Sequence, residues 1–197
     1  RSELLLDDLW PVRDVVWSGD GRFLAFSRFR TDLVDSANLW VADASGNRRM
    51  LTHDPGIQEH PAWSPDGRWL AYAGGQGPGT YEIYVVDVEG AGHRRLTENQ
   101  ANDFLPAWSP DTTRIAFSSD LSGDYEIWVV GADGSGLTQL THSPGLDTNP
   151  TWSPDGAQIA FATNRSGRLE VWVMRADGSE PRPLEQAEGG ACDPAWR

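Results

Sequence analysis

Four histidines (His53, His60, His93 and His142), a scatter of serines and a surplus of carboxylates are the residues with which this chain could do chemistry. His53 and His142 each follow a Leu-Thr pair, so they are counterparts in two copies of one segment and not partners in a cluster. Zinc needs three or four converging nitrogen or sulfur ligands. A single cysteine, Cys192, excludes thiolate clusters and internal disulfides. No metal and no cofactor are therefore expected. Nucleophilic catalysis has no better footing. There is no Gly-x-Ser-x-Gly elbow, and Ser64, Ser109 and Ser153 each sit between a tryptophan and a Pro-Asp pair, where a turn uses them. The glycine runs Gly74-Gly75-Gln76-Gly77 and Gly131 to Gly136 lack the strand-then-helix setting of a phosphate cradle. No catalytic residue is predicted.

The elements that must position these side chains follow from an internal repeat. Trp17-Ser18-Gly19-Asp20-Gly21 recurs as Trp63-Ser64-Pro65-Asp66-Gly67, Trp108-Ser109-Pro110-Asp111-Thr112 and Trp152-Ser153-Pro154-Asp155-Gly156, with a fifth start at Trp196. Successive tryptophans lie 46, 45, 44 and 44 residues apart. Each unit continues with Leu24-Ala25-Phe26 or its equivalent, then Leu39-Trp40-Val41, Ile83-Tyr84-Val85, Ile127-Trp128-Val129 or Val171-Trp172-Val173. Each ends with a turn glycine and a Leu-Thr pair (Leu51-Thr52, Leu96-Thr97, Leu140-Thr141), or Leu184-Glu185 in the last unit, whose leucine is placed at the start of a closing strand. The β-branched and aromatic runs are three to six residues long, with no helical periodicity. Four short strands per unit are predicted. Ser-Pro-Asp-Gly reads as a type I turn in which proline pre-sets φ and Asp20, Asp66, Asp111 and Asp155 cap the backbone.

A four-stranded unit of this length cannot bury both faces alone, and radial stacking of such units is a β-propeller. The fold class is all-β, a propeller of four-stranded antiparallel blades at about 12–52, 58–97, 103–141 and 147–185. Residues 3–6 read as the outer strand of a preceding blade and 193–197 as the inner strand of a following one. Trp17, Trp63, Trp108 and Trp152 are expected in the core between blades, with Trp40, Tyr84, Trp128 and Trp172 as a second layer. Trp10 and Trp69 break the pattern and are candidates for exposed contacts, as are Phe29, Leu33 and Val34.

The pattern Pro-x-Trp-Ser-Pro-Asp-Gly, Ile/Leu-Ala-Phe/Tyr, Glu-Ile-Tyr/Trp-Val, Asp-Gly, Leu-Thr resembles the TolB-type propeller repeat, most fully over Pro61 to Thr97 and Pro150 to Leu184. The first unit departs from it, with Val15 and Gly19 in place of prolines. The resemblance implies a binding scaffold or a gate, since such blades form the carboxy-terminal propeller of the periplasmic TolB and also flank prolyl oligopeptidase-like catalytic domains. It also implies a periplasmic or extracytoplasmic location, and oligogalacturonate lyases are a catalytic use of similar blades.

Sixteen Lys and Arg against 29 Asp and Glu give a formal charge of -13. That balance opposes nucleic acid and anionic membranes as partners, and no apolar run approaches the length of a transmembrane helix. Asp14, Glu59, Asp103, Asp147 and Asp193 precede their tryptophans by three to five residues, on a segment expected to reach the mouth of the central channel. With Asn102 and Asn149 they could hold Ca²⁺ or receive a basic peptide, or form a solvated acidic rim. The expected function is a non-enzymatic protein- or peptide-binding scaffold excerpted from a larger propeller. A gating propeller for a hydrolase domain is the alternative, and self-association through open blade edges is a further expectation. A closed four-bladed ring stays open as an architecture.

Overall fold

The structure, a computed structural model, describes residues 11–29, 36–76, 81–90, 92–184, 194 and 196. Trp10, Leu33, Val34, Cys192, Asp193 and the strand expected at 3–6 lie outside the described residues. Sixteen strands and no helix occur among those described. They form four antiparallel meanders: β1 (Val12–Trp17) to β4 (Arg48–Met50) through β2 (Phe23–Phe29) and β3 (Ala37–Asp43); β5 (Ile57–Trp63) to β8 (His93–Arg95) through β6 (Trp69–Gly75) and β7 (Glu82–Asp87); β9 (Asp103–Trp108) to β12 (Thr138–Gln139) through β10 (Arg114–Ser119) and β11 (Glu126–Gly131); and β13 (Asp147–Trp152) to β16 (Arg182–Pro183) through β14 (Gln158–Thr163) and β15 (Glu170–Arg175). A parallel bridge between Ala37 and Ile57 links the first two. The all-β, four-stranded antiparallel architecture expected from the repeat is what the structure has.

The second strand of each unit is buried on both faces, which is why it carries an unbroken apolar run in place of alternation. Leu70 and Tyr72 pack toward the first unit against Leu39 and Val41, while Ala71 packs toward the third against Ile115 and Phe117. A small residue at this central position recurs as Ala25, Ala71, Ala116 and Ala160, all buried, and lets neighbouring sheets approach.

The repeated turn is closed by its own side chains. Ser18, Ser64, Ser109 and Ser153 each donate a hydroxyl to the aspartate two residues on, at 2.6 Å. Each accepts a backbone N–H from the residue five positions on, at 2.9–3.0 Å. The serine hydroxyl, followed by a backbone N–H of the turn, holds the carboxyls of Asp20, Asp111 and Asp155 below the usual carboxylate range. The fourth turn position needs a left-handed backbone: Gly21, Gly67 and Gly156 have φ of 69 to 70°, and Thr112 is held at 61°. A β-branched residue pays ~1–2 kcal/mol there, against ~0.5–1 kcal/mol of chain entropy for glycine. Thr112→Gly is therefore expected to stabilise the fold by about 0.5–1 kcal/mol in urea denaturation. A neutral or destabilising result would mean that the threonine makes a compensating contact.

The closing strands lie one step earlier than the sequence predicts. They end just before the Leu-Thr pairs, which finish the sheet instead of starting a strand. The amides of Leu51, Leu96 and Leu140 donate to the carbonyls of Leu39, Ile83 and Ile127 at 2.7–2.8 Å. The amides of those same three residues donate to Thr52, Thr97 and Thr141 Oγ1 at 2.8–3.0 Å. The threonine thus satisfies a buried N–H where the strand pair runs out.

Adjacent units are joined by an indole ladder. Trp63, Trp108, Trp152 and Trp196 donate Nε1–H to the carbonyls of Val16, Ala62, Ala107 and Thr151 at 3.1–3.2 Å, each the residue before the previous tryptophan. Trp17 differs from the expectation: 54% of it is exposed, beside Val15 at 50%. An indole at this position buries itself on the unit before it, and no described strand stands on that side of β1. Trp69 departs the other way, packing on the cluster between the second and third units.

Candidate functional site

The first strands of all four units border one groove, a cavity of about 640 Å³. Each of these strands carries a β-bulge. Two ladder steps on the second strand oppose three on the first, between Arg13 and Val16, Glu59 and Ala62, Phe104 and Ala107, and Thr148 and Thr151. The extra residue takes a left-handed backbone in every unit: Asp14, His60, Leu105 and Asn149 have φ of 53 to 56°. These four residues, three before each tryptophan, line the groove together with Pro61, Pro106 and Pro150. Proline fits here because a bulge on the inner, edge strand of a unit has an N–H that no ladder needs.

The bulge sorts the predicted acidic residues. Asp14 lines the groove, and its Oδ2 accepts from Ser27 Oγ at 3.3 Å and from the His60 amide at 3.2 Å. Glu59 lies beside it on the neighbouring unit. Side-chain atoms of Asp14, Glu59 and His60 come within 4.8 Å of one another, a set that could hold a divalent cation. Burial pushes the Glu59 carboxyl above its ordinary range against the opposing pull of His60, and the Asp14 charge adds to the rise. His60 packs edge-on against Phe104, and its Nδ1 is buried without a hydrogen-bond partner among the described residues.

Asp103 and Asp147 are not brought to this cluster. Five residues before their tryptophans, they start β9 and β13 and are fully buried. Asp103 Oδ2 accepts from Asn99 Nδ2 at 2.9 Å. Asp147 Oδ2 accepts from Arg165 at 2.6 Å and from Ser143 at 3.1 Å. Burial raises the Asp103 carboxyl, partly offset by the Ser119, Thr97 and Asn99 side chains. These two carboxylates hold the linkers that lead into their own units, through Asn99 and Ser143. Asn102 binds Asp120 through its amide and side chain at 2.7 and 2.8 Å, away from the groove. Asp193 lies outside the described residues. His60 and Leu105 are the groove residues that chemistry-based reading passes over. Strict alignment on the tryptophans would have placed them in the Asp14 column.

His53 and His142 are exposed. His93 instead hydrogen-bonds the Tyr72 hydroxyl and stacks with Tyr72 and Tyr84.

Comparison with known proteins places this geometry. The TolB beta propeller domain family matches residues 3–136 and 104–197. A protein of Agrobacterium fabrum, Atu1656, is 32% identical over 103 residues, covering 52% of this chain and 34% of that protein. Dipeptidyl-peptidase 5 of Porphyromonas gingivalis is 36% identical over 107 residues, covering 50% of this chain and 16% of the peptidase. The chain spans about a third or less of the length of these curated relatives. Among solved structures, one assigned as TolB from Agrobacterium tumefaciens superposes with a TM-score of 0.76 at 27% identity, over 87% of this chain and 64% of that one. TolB from Acinetobacter baumannii gives 0.79 at 23% identity, over 95% and 47%.

Proposed function

The chain belongs to the TolB beta propeller domain family, and from that premise we propose that it is a non-enzymatic scaffold whose groove takes a protein or peptide segment bearing basic side chains. The observation that carries this reading is the convergence of four bulged strands on one concave surface, with Asp14 and Glu59 at one side of it. A net charge of -13 draws cationic partners over distances of a Debye length. The repeated serines support the non-enzymatic part, since each hydroxyl is spent within its own turn.

The test is fluorescence anisotropy with a labelled Lys/Arg-rich decapeptide, a neutral peptide of equal length, and the double variant Asp14→Asn/Glu59→Gln. The basic peptide is expected to bind, to weaken steeply with salt, and to lose at least about fivefold in the double variant, a coupling of roughly 1 kcal/mol. Equal binding of the neutral peptide, or an unchanged double variant, would sink the proposal.

A second reading, favoured by the likeness to dipeptidyl-peptidase 5, makes the propeller the gate of a hydrolase domain. Labelling of the natural full-length protein by a fluorophosphonate would favour this reading over the first.

A further inference from the structure

In a chain built from repeats, the positions where one unit departs from its sisters and the departures meet in space are where selection has acted on something other than folding. The second unit has such a place. Its second strand carries Tyr72 where the others carry Phe26, Phe117 and Phe161. Its third strand carries Tyr84 in place of Trp40, Trp128 and Trp172. Gly74 stands where the others have Arg28, Ser119 and Thr163, and Arg95 stands where they have Met50, Gln139 and Pro183. All four residues line one cleft of about 500 Å³ on the second unit, completed by the linker residues Asp54, Pro55, Asn99 and Gln100 and separate from the central groove.

Gly74 leaves the aromatic wall of the cleft uncrowded. A Cβ there would stand 3.1 Å from the Tyr72 ring and 3.2 Å from the Tyr84 ring. At the bottom is Glu82, only 2% exposed. Its Oε1 accepts from Arg95 at 2.7 Å and from the Asn99 amide at 2.8 Å. Its Oε2 is buried with no partner among the described residues. The corresponding Glu126 in the third unit has its Oε2 taken by Thr141. A carboxylate oxygen left bare in a cleft is costly unless something donates to it.

The charges around that oxygen select the donor. Asp54 and Glu82 line the cleft with Arg95, Asp54 lies 3.8 Å from His93 Nε2, and Glu98 lies 3.9 Å from Arg95. An anion is disfavoured. The ring of Tyr84, half-buried and stacked against Tyr72 and His93, forms the aromatic wall of the cleft. We propose that this cleft is a binding site for an organic cation, the ammonium or guanidinium head of a small amine or of a Lys/Arg side chain, with Glu82 Oε2 as its acceptor and Asp54 and Tyr84 completing the seat. The site is independent of the groove proposal.

Isothermal titration with agmatine, with an acetylated, amidated Gly-Gly-Arg-Gly-Gly peptide and with glucose tests this on the whole chain. Agmatine is expected to bind with a dissociation constant of ~1 mM or tighter and glucose not at all. Binding of the peptide as well assigns the site to a protein side chain, and binding of agmatine alone assigns it to a free amine. Gly74→Ser, which installs the side chain of the third unit, and Glu82→Gln are each expected to weaken agmatine at least tenfold. Thr112→Gly, in a turn of the third unit away from both sites, should leave it unchanged. Thermal melts of each variant separate lost binding from lost fold, and Gly74→Ser crowds the aromatic wall without removing any hydrogen bond to Glu82. No binding by either cation, glucose binding as well as agmatine, or full binding in a folded Gly74→Ser protein would overturn the assignment.

Discussion

Trp152→Ala is expected to lower the unfolding free energy by about 4 kcal/mol, while Trp17→Ala, the same change at the same repeat position, should cost less than about 1 kcal/mol. Trp152 is 6% exposed and packs among Ile159, Phe161 and Met174, in the cluster between the third and fourth units. Its Nε1–H reaches the Ala107 carbonyl at 3.1 Å, and Arg114 lies over its ring at 4.6 Å. Truncation therefore opens a cavity, strands a carbonyl that helps join two units, and removes a cation–π contact. Trp17 holds the same register, opposite Leu24 as Trp152 is opposite Ile159, but is 54% exposed, so little area is lost when it is cut back. Urea denaturation of both variants checks the pair. Equal costs would show that Trp17 is covered in solution, by another copy or by segments beyond those described, and the open face of the first unit would then be an interface.

That contrast also marks what the sequence could and could not reveal. The period of the tryptophans, the turn and the apolar triplets specified four-stranded units, because local propensity and burial on both faces both write themselves into residue type. Ladder ends did not show, since Leu-Thr looks like strand sequence whether it pairs or merely caps. The threonine hydroxyl that accepts a strand amide has no signature in composition. The channel residues were blurred for a different reason. Sequence reading gathered acids three to five residues before each tryptophan, but a bulge advances side-chain direction by one residue. Asp14 and Glu59 therefore meet beside the groove, whereas Asp103, two residues before its bulge, is buried away from it. The column that does face the groove reads Asp, His, Leu, Asn, and chemical dissimilarity hid its common geometry. The cleft beside Glu82 was half legible. Tyr84 stood out as the one non-tryptophan of its column, yet only the fold shows Gly74 and Arg95 gathered around it.

The buried carboxylates carry a dependence on pH. Glu126 is 2% exposed, and burial pushes its carboxyl up to about 7, against the lowering effect of the Thr141 hydroxyl and with the Asp147 and Asp124 charges adding to the rise. Arg165 is bonded to Asp147 at 2.6 Å, so its guanidinium is engaged there and not on Glu126. In the unfolded chain Glu126 releases its proton near the ordinary 4.5. Between that value and about 7 the folded state holds a proton that the unfolded state has lost. This contribution is therefore complete below about 4.5 and disappears as pH rises through 7, a fall on the order of 3 kcal/mol. Glu59 and Asp103, also raised by burial, act in the same direction. The turn aspartates are lowered, so their contribution is present above the ordinary aspartate range and falls away only at more acid pH. Glu126→Gln keeps the shape, can still accept from Thr141 and can donate to Asp147. It should match the parent protein near pH 4.5 and exceed it by about 3 kcal/mol at pH 8. Urea midpoints at pH 4.5, 6 and 8 decide the matter. A variant with the parent's slope would move the titration to another group, and a variant less stable at pH 8 would mean that the charged form of Glu126 is the one the fold prefers.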